Sequence, residues 1–332
     1  MIQITAAATL VPSILLMWYF HSRDAYPEPP RVLWATFGLG VLIVVPVLAV
    51  ALPTIAFTHG LTHPHATGLA SAFLSAAIPE ELFKFLVLWV YCARHREFNE
   101  PIDGIVYGVA VSLGFATLEN VLYVSSGGLV VAILRAFTAV PGHAFLGAIM
   151  GYYVGRARFE PERKGSLVLA ALGIPILLHG LYDYPLLAMS AQVKAWGGTV
   201  PPGGGGVVLG MILIALAVLI TEAVWAIGAA RKLRRAQRLA GPAPAGQPVA
   251  PAVDYPARTD TTMAWFAVLG GGILACGGGF LLLAIAIGAA VTKDRSLLPG
   301  LGCLGLIFGA APLAGGIALF WWGMRALNRA GV

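Results

Sequence analysis

The run Pro79-Glu80-Glu81-Leu82-Phe83-Lys84 puts two adjacent carboxylates and an ammonium inside an otherwise apolar stretch, Ala66 to Cys92, long enough to cross a bilayer. A charged side chain in hydrocarbon costs at least about 2.5 to 3.5 kcal/mol and needs a partner, a proton or a water-filled cavity, so such residues point to function. Three further apolar stretches repeat the anomaly, with Glu119, with His143, and with His179 and Asp183. Acids and histidines on separate helices are what a hydrolytic site inside a membrane requires. Peptide hydrolysis needs a base to activate water, a stabilised oxyanion and a proton for the leaving amine.

Helical spacing relates these groups to one another. Glu80 and Lys84 stand i, i+4 with the acid on the N-terminal side, the orientation that pairs best, while Glu81 points about 100° away. One carboxylate is expected to be held ionised by Lys84 and the other to serve as acid or base, with Glu80 favoured as the base. His179 and Asp183 are also i, i+4, so the carboxylate can orient the imidazole or share a ligand with it. Small residues recur every four positions at Gly104, Gly108, Ser112 and Ala116, and again at Gly147, Gly151 and Gly155 after His143. Such stripes let helix backbones approach closely in lipid. Gly104, Gly108, Gly147 and Gly151 are therefore expected to pack helices together and to turn Glu119, Asn120 and His143 toward protein.

The elements that must hold these residues are membrane helices. Of 332 residues 58% are hydrophobic and only 11% charged, with a mean hydropathy of +0.83, which sets the chain apart from soluble globular domains. Nine apolar segments, roughly 2–20, 32–57, 67–92, 104–125, 129–154, 166–189, 206–229, 263–291 and 298–323, reach or approach the length that spans a bilayer. They do not alternate as barrel strands do, so helices are expected. The fold class is thus all-α polytopic membrane protein, with about nine transmembrane helices as a seven-helix core and a two-helix C-terminal appendix. Residues 1–230 form the core, 231–262 a basic and then Pro/Ala-rich cytoplasmic linker, and 263–332 the appendix.

Sixteen of the 21 Lys and Arg residues fall in connections that share one side if the N-terminus is outside, against three on the other. The positive-inside rule then gives an integral protein of the bacterial cytoplasmic membrane with its N-terminus outside and its C-terminus cytoplasmic. The net charge of +6 faces anionic lipid, with no nucleic-acid partner implied. The first apolar segment lacks a basic n-region and reads as a retained helix. Cys92, Cys276 and Cys303 show no metal-binding spacing and no disulfide framework.

Four motifs carry a resemblance. Pro79 to Lys84 (P-E-E-L-F-K), Phe115 to Tyr123 (F-A-T-L-E-N-x-x-Y), His143 to Gly151 (H-A-F-L-G-x-x-x-G) and His179 to Asp183 (H-G-L-Y-D), in this order on four successive helices, resemble the PrsW family of intramembrane proteases. That family is distantly similar to the CAAX prenyl protease and bacteriocin-processing group, whose last motif ends in Asn where this chain has Asp183. The resemblance implies regulated intramembrane proteolysis of a single-pass membrane protein substrate, such as an anti-sigma factor, cut near the outer membrane face. It makes Glu80, Glu81, His143, His179 and Asp183 the catalytic residues, supported by Lys84, Glu119, Asn120 and Tyr123. The polar motifs on successive spans are expected to bring Glu80, Glu81, Glu119, His143, His179 and Asp183 to one cavity, open externally by their depth. No cofactor is favoured over metal-free glutamate chemistry. If a metal is bound it is zinc, held by His143, His179 and Glu119 in the open three-ligand pattern of catalytic sites. A different class of function, a proton- or ion-coupled transporter, would use the same buried acids and histidines, although no inverted repeat of the polar pattern supports it.

Overall fold

The computed structural model describes residues 2–240 and a few helical positions between 314 and 326. The eighth expected helix, most of the ninth and the Pro/Ala-rich part of the linker lie outside the described residues. All described secondary structure is helical: α1 Ile2–His21, α2 Pro30–Leu42, α3 Val44–His59, α4 Pro64–Ala70, α5 Ile78–Leu86, α6 Pro101–Phe137, α7 Ala139–Phe159, α8 Lys164–Ala195 and α9 Gly205–Ala240. Five stretches among them are long and apolar enough to cross a membrane: Pro30–Thr58, Pro101–Tyr123, Val130–Phe159, Pro161–Ala195 and Gly205–Leu239. A shorter apolar helix, Leu10–His21, lies within the first expected span.

The third expected span is not one regular helix. α5 is bracketed by π-helical turns at Ser71–Ala77 and Val87–Tyr91, and the chain ends this stretch in a 3-10 turn at Cys92–Arg94. π-Turns widen the backbone and recur at functional sites; here they flank the nine residues that carry Glu80, Glu81 and Lys84. α9 also departs from expectation. It continues through the basic run Arg231–Arg238 to Ala240, where a flexible linker was expected. Leu233 and Gln237 are buried on that extension, so its inner face packs while the arginines occupy the rest of the turn.

The described residues divide into two compact units, 2–58, 71–180 and 222–240 in one and 59–70 and 181–221 in the other. In the first, α6 is the central helix and packs against α7, α2 and α1. A Cβ added to Gly104 or Gly108 would lie 2.2 Å from the carbonyl oxygen of Gly151 or Gly147 respectively, and one on Gly151 would lie 1.9 Å from that of Gly104. The four expected packing glycines therefore bring α6 and α7 into backbone contact. On α6's other side Gly40 and Gly114 do the same against Val111 and Phe37, which joins α2. Thr117 Oγ1 donates to Ser13 Oγ on α1 at 2.7 Å. Beyond Tyr123 the helix is broken at Gly128, whose φ of +70° suits only glycine without strain.

In the second unit Gly68 approaches Ala188 closely enough that a Cβ would lie 2.6 Å from it. His65 Nδ1, on α4, pairs with Tyr184 Oη at 3.0 Å, and His63 and His65, both exposed, stand with ring centroids 5.8 Å apart.

Candidate active site

Pro79 is the second residue of α5 and follows the π-helical turn Ser71–Ala77 without a break in helical backbone, so its missing N–H interrupts the regular i to i−4 bonding at this point. Glu80 and Glu81 then fall in the first turn and Lys84 in the last, with burial that leaves Glu81 and Lys84 no solvent exposure at all. Lys84 Nζ donates to Glu81 Oε1 at 2.7 Å and to Glu80 Oε2 at 3.3 Å. The shorter bond goes to Glu81 rather than to the i, i+4 partner, because an i, i+3 neighbour is within reach of the same ammonium. The Lys84 ammonium also lies 4.4 Å from the centroid of the Phe115 ring.

The glycine contacts between α6 and α7 bring His143 up to this group. Its Nδ1 stands 3.0 Å from Lys84 Nζ and its Nε2 2.9 Å from Glu119 Oε2. An ammonium can only donate and a carboxylate only accept, so the imidazole is in the Nε2–H form with its Nδ1 lone pair facing Lys84. From α8, His179 Nδ1 lies 2.9 Å from Glu81 Oε1, which makes Nδ1 the donor. Its Nε2 then faces Glu80 Oε2 at 3.9 Å. The two imidazoles meet edge to face with centroids 5.3 Å apart.

Glu80, Glu81, Lys84, Glu119, His143 and His179 are thus joined by direct contacts across α5, α6, α7 and α8. His179 Nδ1 meets Glu81, a contact additional to the expectation that Asp183 orients the imidazole or shares a ligand with it. Asp183 follows one turn later on α8, in the part of that helix belonging to the second unit.

One participant escaped the sequence reading. Arg135, from the segment after the Gly128 break, donates to Glu119 Oε2 at 2.6 Å and to Asn120 Oδ1 at 3.0 Å. Its guanidinium stacks 3.9 Å from the centroid of the Tyr123 ring. Glu119, Asn120 and Tyr123, expected as supporting residues, are therefore gathered by an arginine rather than by one another. The only signal was a lone Arg in an apolar stretch, which by itself says nothing about its partner. Glu222 on α9, also buried, was passed over for the same reason.

Glu80, Glu81, His143 and His179 each offer a ligand atom within 4.8 Å of the others. Two imidazoles and two carboxylates make a donor set that suits zinc. Glu81 Oε2 is buried without a hydrogen-bond partner, an acceptor that such an ion would satisfy. Lys84 Nζ is bonded to the same donors and must withdraw before an ion takes them; with that movement the residues fit a metal. Glu119, expected as a ligand, stands behind His143 on Nε2, where a carboxylate orients a ligating imidazole.

The comparisons agree with this chemistry. Residues 28–230 match the model of the PrsW family intramembrane metalloprotease. A "Protease PrsW" from Geobacillus kaustophilus is 41% identical over 192 residues, 58% of this chain and 81% of that protein. The protein of the same name from Bacillus subtilis is 39% identical over 189 residues, 55% of this chain and 83% of that protein. One from Clostridioides difficile is 32% identical over 186 residues, 54% and 77% of the two. No solved structure matches the chain. With a buried double glutamate, two histidines from different helices and a family match over more than half its length, the chain belongs to the PrsW family of intramembrane metalloproteases.

Proposed function

We propose that this membrane peptidase cuts a single-pass membrane protein, such as an anti-sigma factor, close to the outer face of the bacterial cytoplasmic membrane, with its own N-terminus outside and its C-terminus inside. The observation that carries the reading is the contact between Glu81 and His179 beside Glu80 and Lys84, which unites two hydrolytic groups from distant parts of the chain. Glu80, held less tightly by Lys84 than Glu81 is, takes the proton from the attacking water and returns it to the leaving amine. His179 Nε2 lies on the same side and holds the water in line. Lys84 donates to both carboxylates, and Glu119 fixes the tautomer of His143. Zinc carried by His143, His179 and Glu81 would polarise the scissile carbonyl and acidify a bound water. The family's description as metalloprotease and the orphaned Glu81 oxygen favour that set over metal-free chemistry.

The test is a comparison of membrane-protein fragments in cells making the intact chain or the Glu80→Gln/Glu81→Gln variant. A single-pass protein whose extracytoplasmic fragment vanishes in the variant supports the reading. Identical fragment patterns from two equally abundant, folded chains overturn it.

A further inference from the structure

A second group of buried acids lies away from the Glu/His site. Asp24 and Glu28 come from the connection between α1 and α2, and Asp103 from the first turn of α6. All three are buried, and each offers an oxygen within 4.8 Å of the others. Asp103 and Glu119 are 16 positions apart on α6, which places the two groups roughly 24 Å apart along the helix at 1.5 Å per residue.

Part of this group has a structural reason. Glu100 caps α6, and Asp103 Oδ2 accepts the backbone N–H groups of Asn99 and Glu100 at 2.7 Å each, a reciprocal cap. Capping does not account for Asp24 and Glu28. Tyr107 Oη donates to Glu28 Oε2 at 2.6 Å. Gln237 of α9 donates through one nitrogen to both Asp24 Oδ1 and Glu100 Oε2 and accepts from the N–H of Ala25 at 2.8 Å. Two observations remain. One carboxylate oxygen from each of Asp24, Glu28 and Asp103 lies within 4.8 Å of the others in a buried setting, which bare anions cannot sustain without a proton or a cation between them. Asp24 Oδ2 is buried and has no hydrogen-bond partner, although Asp24 is only 5% exposed. A proton shared between Glu28 and Asp103 leaves that oxygen orphaned, whereas a cation can take all three.

We propose that Asp24, Glu28 and Asp103 bind a hard divalent cation of the Mg2+ or Ca2+ class. The group contains oxygen donors alone and no histidine or cysteine, which selects such ions over zinc. The ion ties the α1–α2 connection to the start of α6, while Gln237 adds α9 to the same point. It is a structural cation of the core, independent of the hydrolytic group and of any substrate.

Terbium(III) is a suitable probe, because it occupies oxygen-donor sites and Tyr107, bonded to Glu28, can sensitise its luminescence. The full chain in a neutral maltoside detergent, stripped of metal, is titrated with Tb3+ and then with Mg2+ and with Ca2+. Expected are one saturable site, displacement by one of the two physiological ions at the lower concentration, and unchanged binding in His179→Ala. Glu28→Gln and Asp24→Asn should each weaken it roughly 10-fold to 100-fold or more. If either variant fails to fold, Tyr107→Phe serves instead. It keeps all three carboxylates and should lose sensitised emission while keeping the rise in melting temperature that Mg2+ or Ca2+ gives. No saturable Tb3+ binding with no shift of melting by either ion would overturn the site and assign the cluster to a shared proton. Binding that survives Glu28→Gln and Asp24→Asn in folded protein would overturn it too.

Discussion

Glu81 and Lys84, three residues apart on α5, face each other at 2.7 Å with neither exposed to solvent. A pair this deep stabilises little by existing, because both charges were desolvated to form it, but removing one partner strands the other. Lys84→Met leaves Glu80 and Glu81 together without their cation and should destabilise the protein by about 3–5 kcal/mol. Adding Glu81→Gln should recover part of that loss. A double-mutant cycle on unfolding in mixed micelles measures the coupling, and strict additivity would show that the pair is energetically inert.

Charge-neutral substitution of the hydrolytic acids should act on rate and spare the fold. Glu80→Gln keeps shape but removes the proposed base, so turnover should fall by about 100-fold or more with melting temperature nearly unchanged. Single-turnover cleavage of a reconstituted substrate gives the rate directly. Near-normal turnover in Glu80→Gln moves the base to Glu81.

Arg135 tests whether the reach across the Gly128 break matters to chemistry. Its guanidinium holds Glu119 and Asn120 together, and Glu119 in turn fixes His143. Arg135→Gln should lower kcat by about 10- to 100-fold, as loss of an orienting partner does, while KM stays within a few-fold. Arg135→Lys restores charge without the planar fork and should rescue only partly. An increase in KM with unchanged kcat would place Arg135 in substrate binding instead.

The sequence revealed the participants better than their pairings. Glu80, Glu81, His143 and His179 stand out because hydrocarbon makes ionisable groups conspicuous, and Gly104, Gly108, Gly147 and Gly151 because helix packing in lipid rests on small residues at four-residue intervals. Which partner each group chose depended on rotation and depth, which periodicity does not fix. Lys84 reaches Glu81 more closely than Glu80, and His179 meets Glu81 from α8, outcomes set by the crossing of helices distant in the chain. The π-turns around α5 were invisible for a similar reason, since no residue type encodes them. Asp24, Glu28 and Asp103 went unremarked because acids in polar connections look solvated until folding buries them.

The α6–α7 contact gives a prediction about packing. Gly151→Val would drive a side chain into a backbone carbonyl 1.9 Å from its own Cβ, an overlap that no rotamer relieves, and should cost about 3 kcal/mol or more. Gly173→Ala, on α8 with nothing within 4 Å of the new methyl, should instead gain about 0.5–1 kcal/mol from helix propensity. Thermal unfolding of the two variants side by side separates close packing from a general intolerance of larger residues.

Metal content decides how the water is activated. Glu81, His143 and His179 converge on one point with an unpartnered Glu81 oxygen, so the active protein should carry about one zinc per chain. His179→Ala removes a nitrogen donor and should release it, and a chelator should stop cleavage until zinc is restored. Glu119→Gln separates ligand from support. Since Glu119 touches His143 through Nε2, the variant should keep measurable zinc but bind it about 10- to 100-fold more weakly, whereas a direct ligand would lose it outright. Cleavage at full rate by protein stripped of metal would leave Glu80 and His179 as the sole activators of water. Elemental analysis of the same active fractions, before and after chelation, distinguishes these outcomes without reference to the substrate's identity.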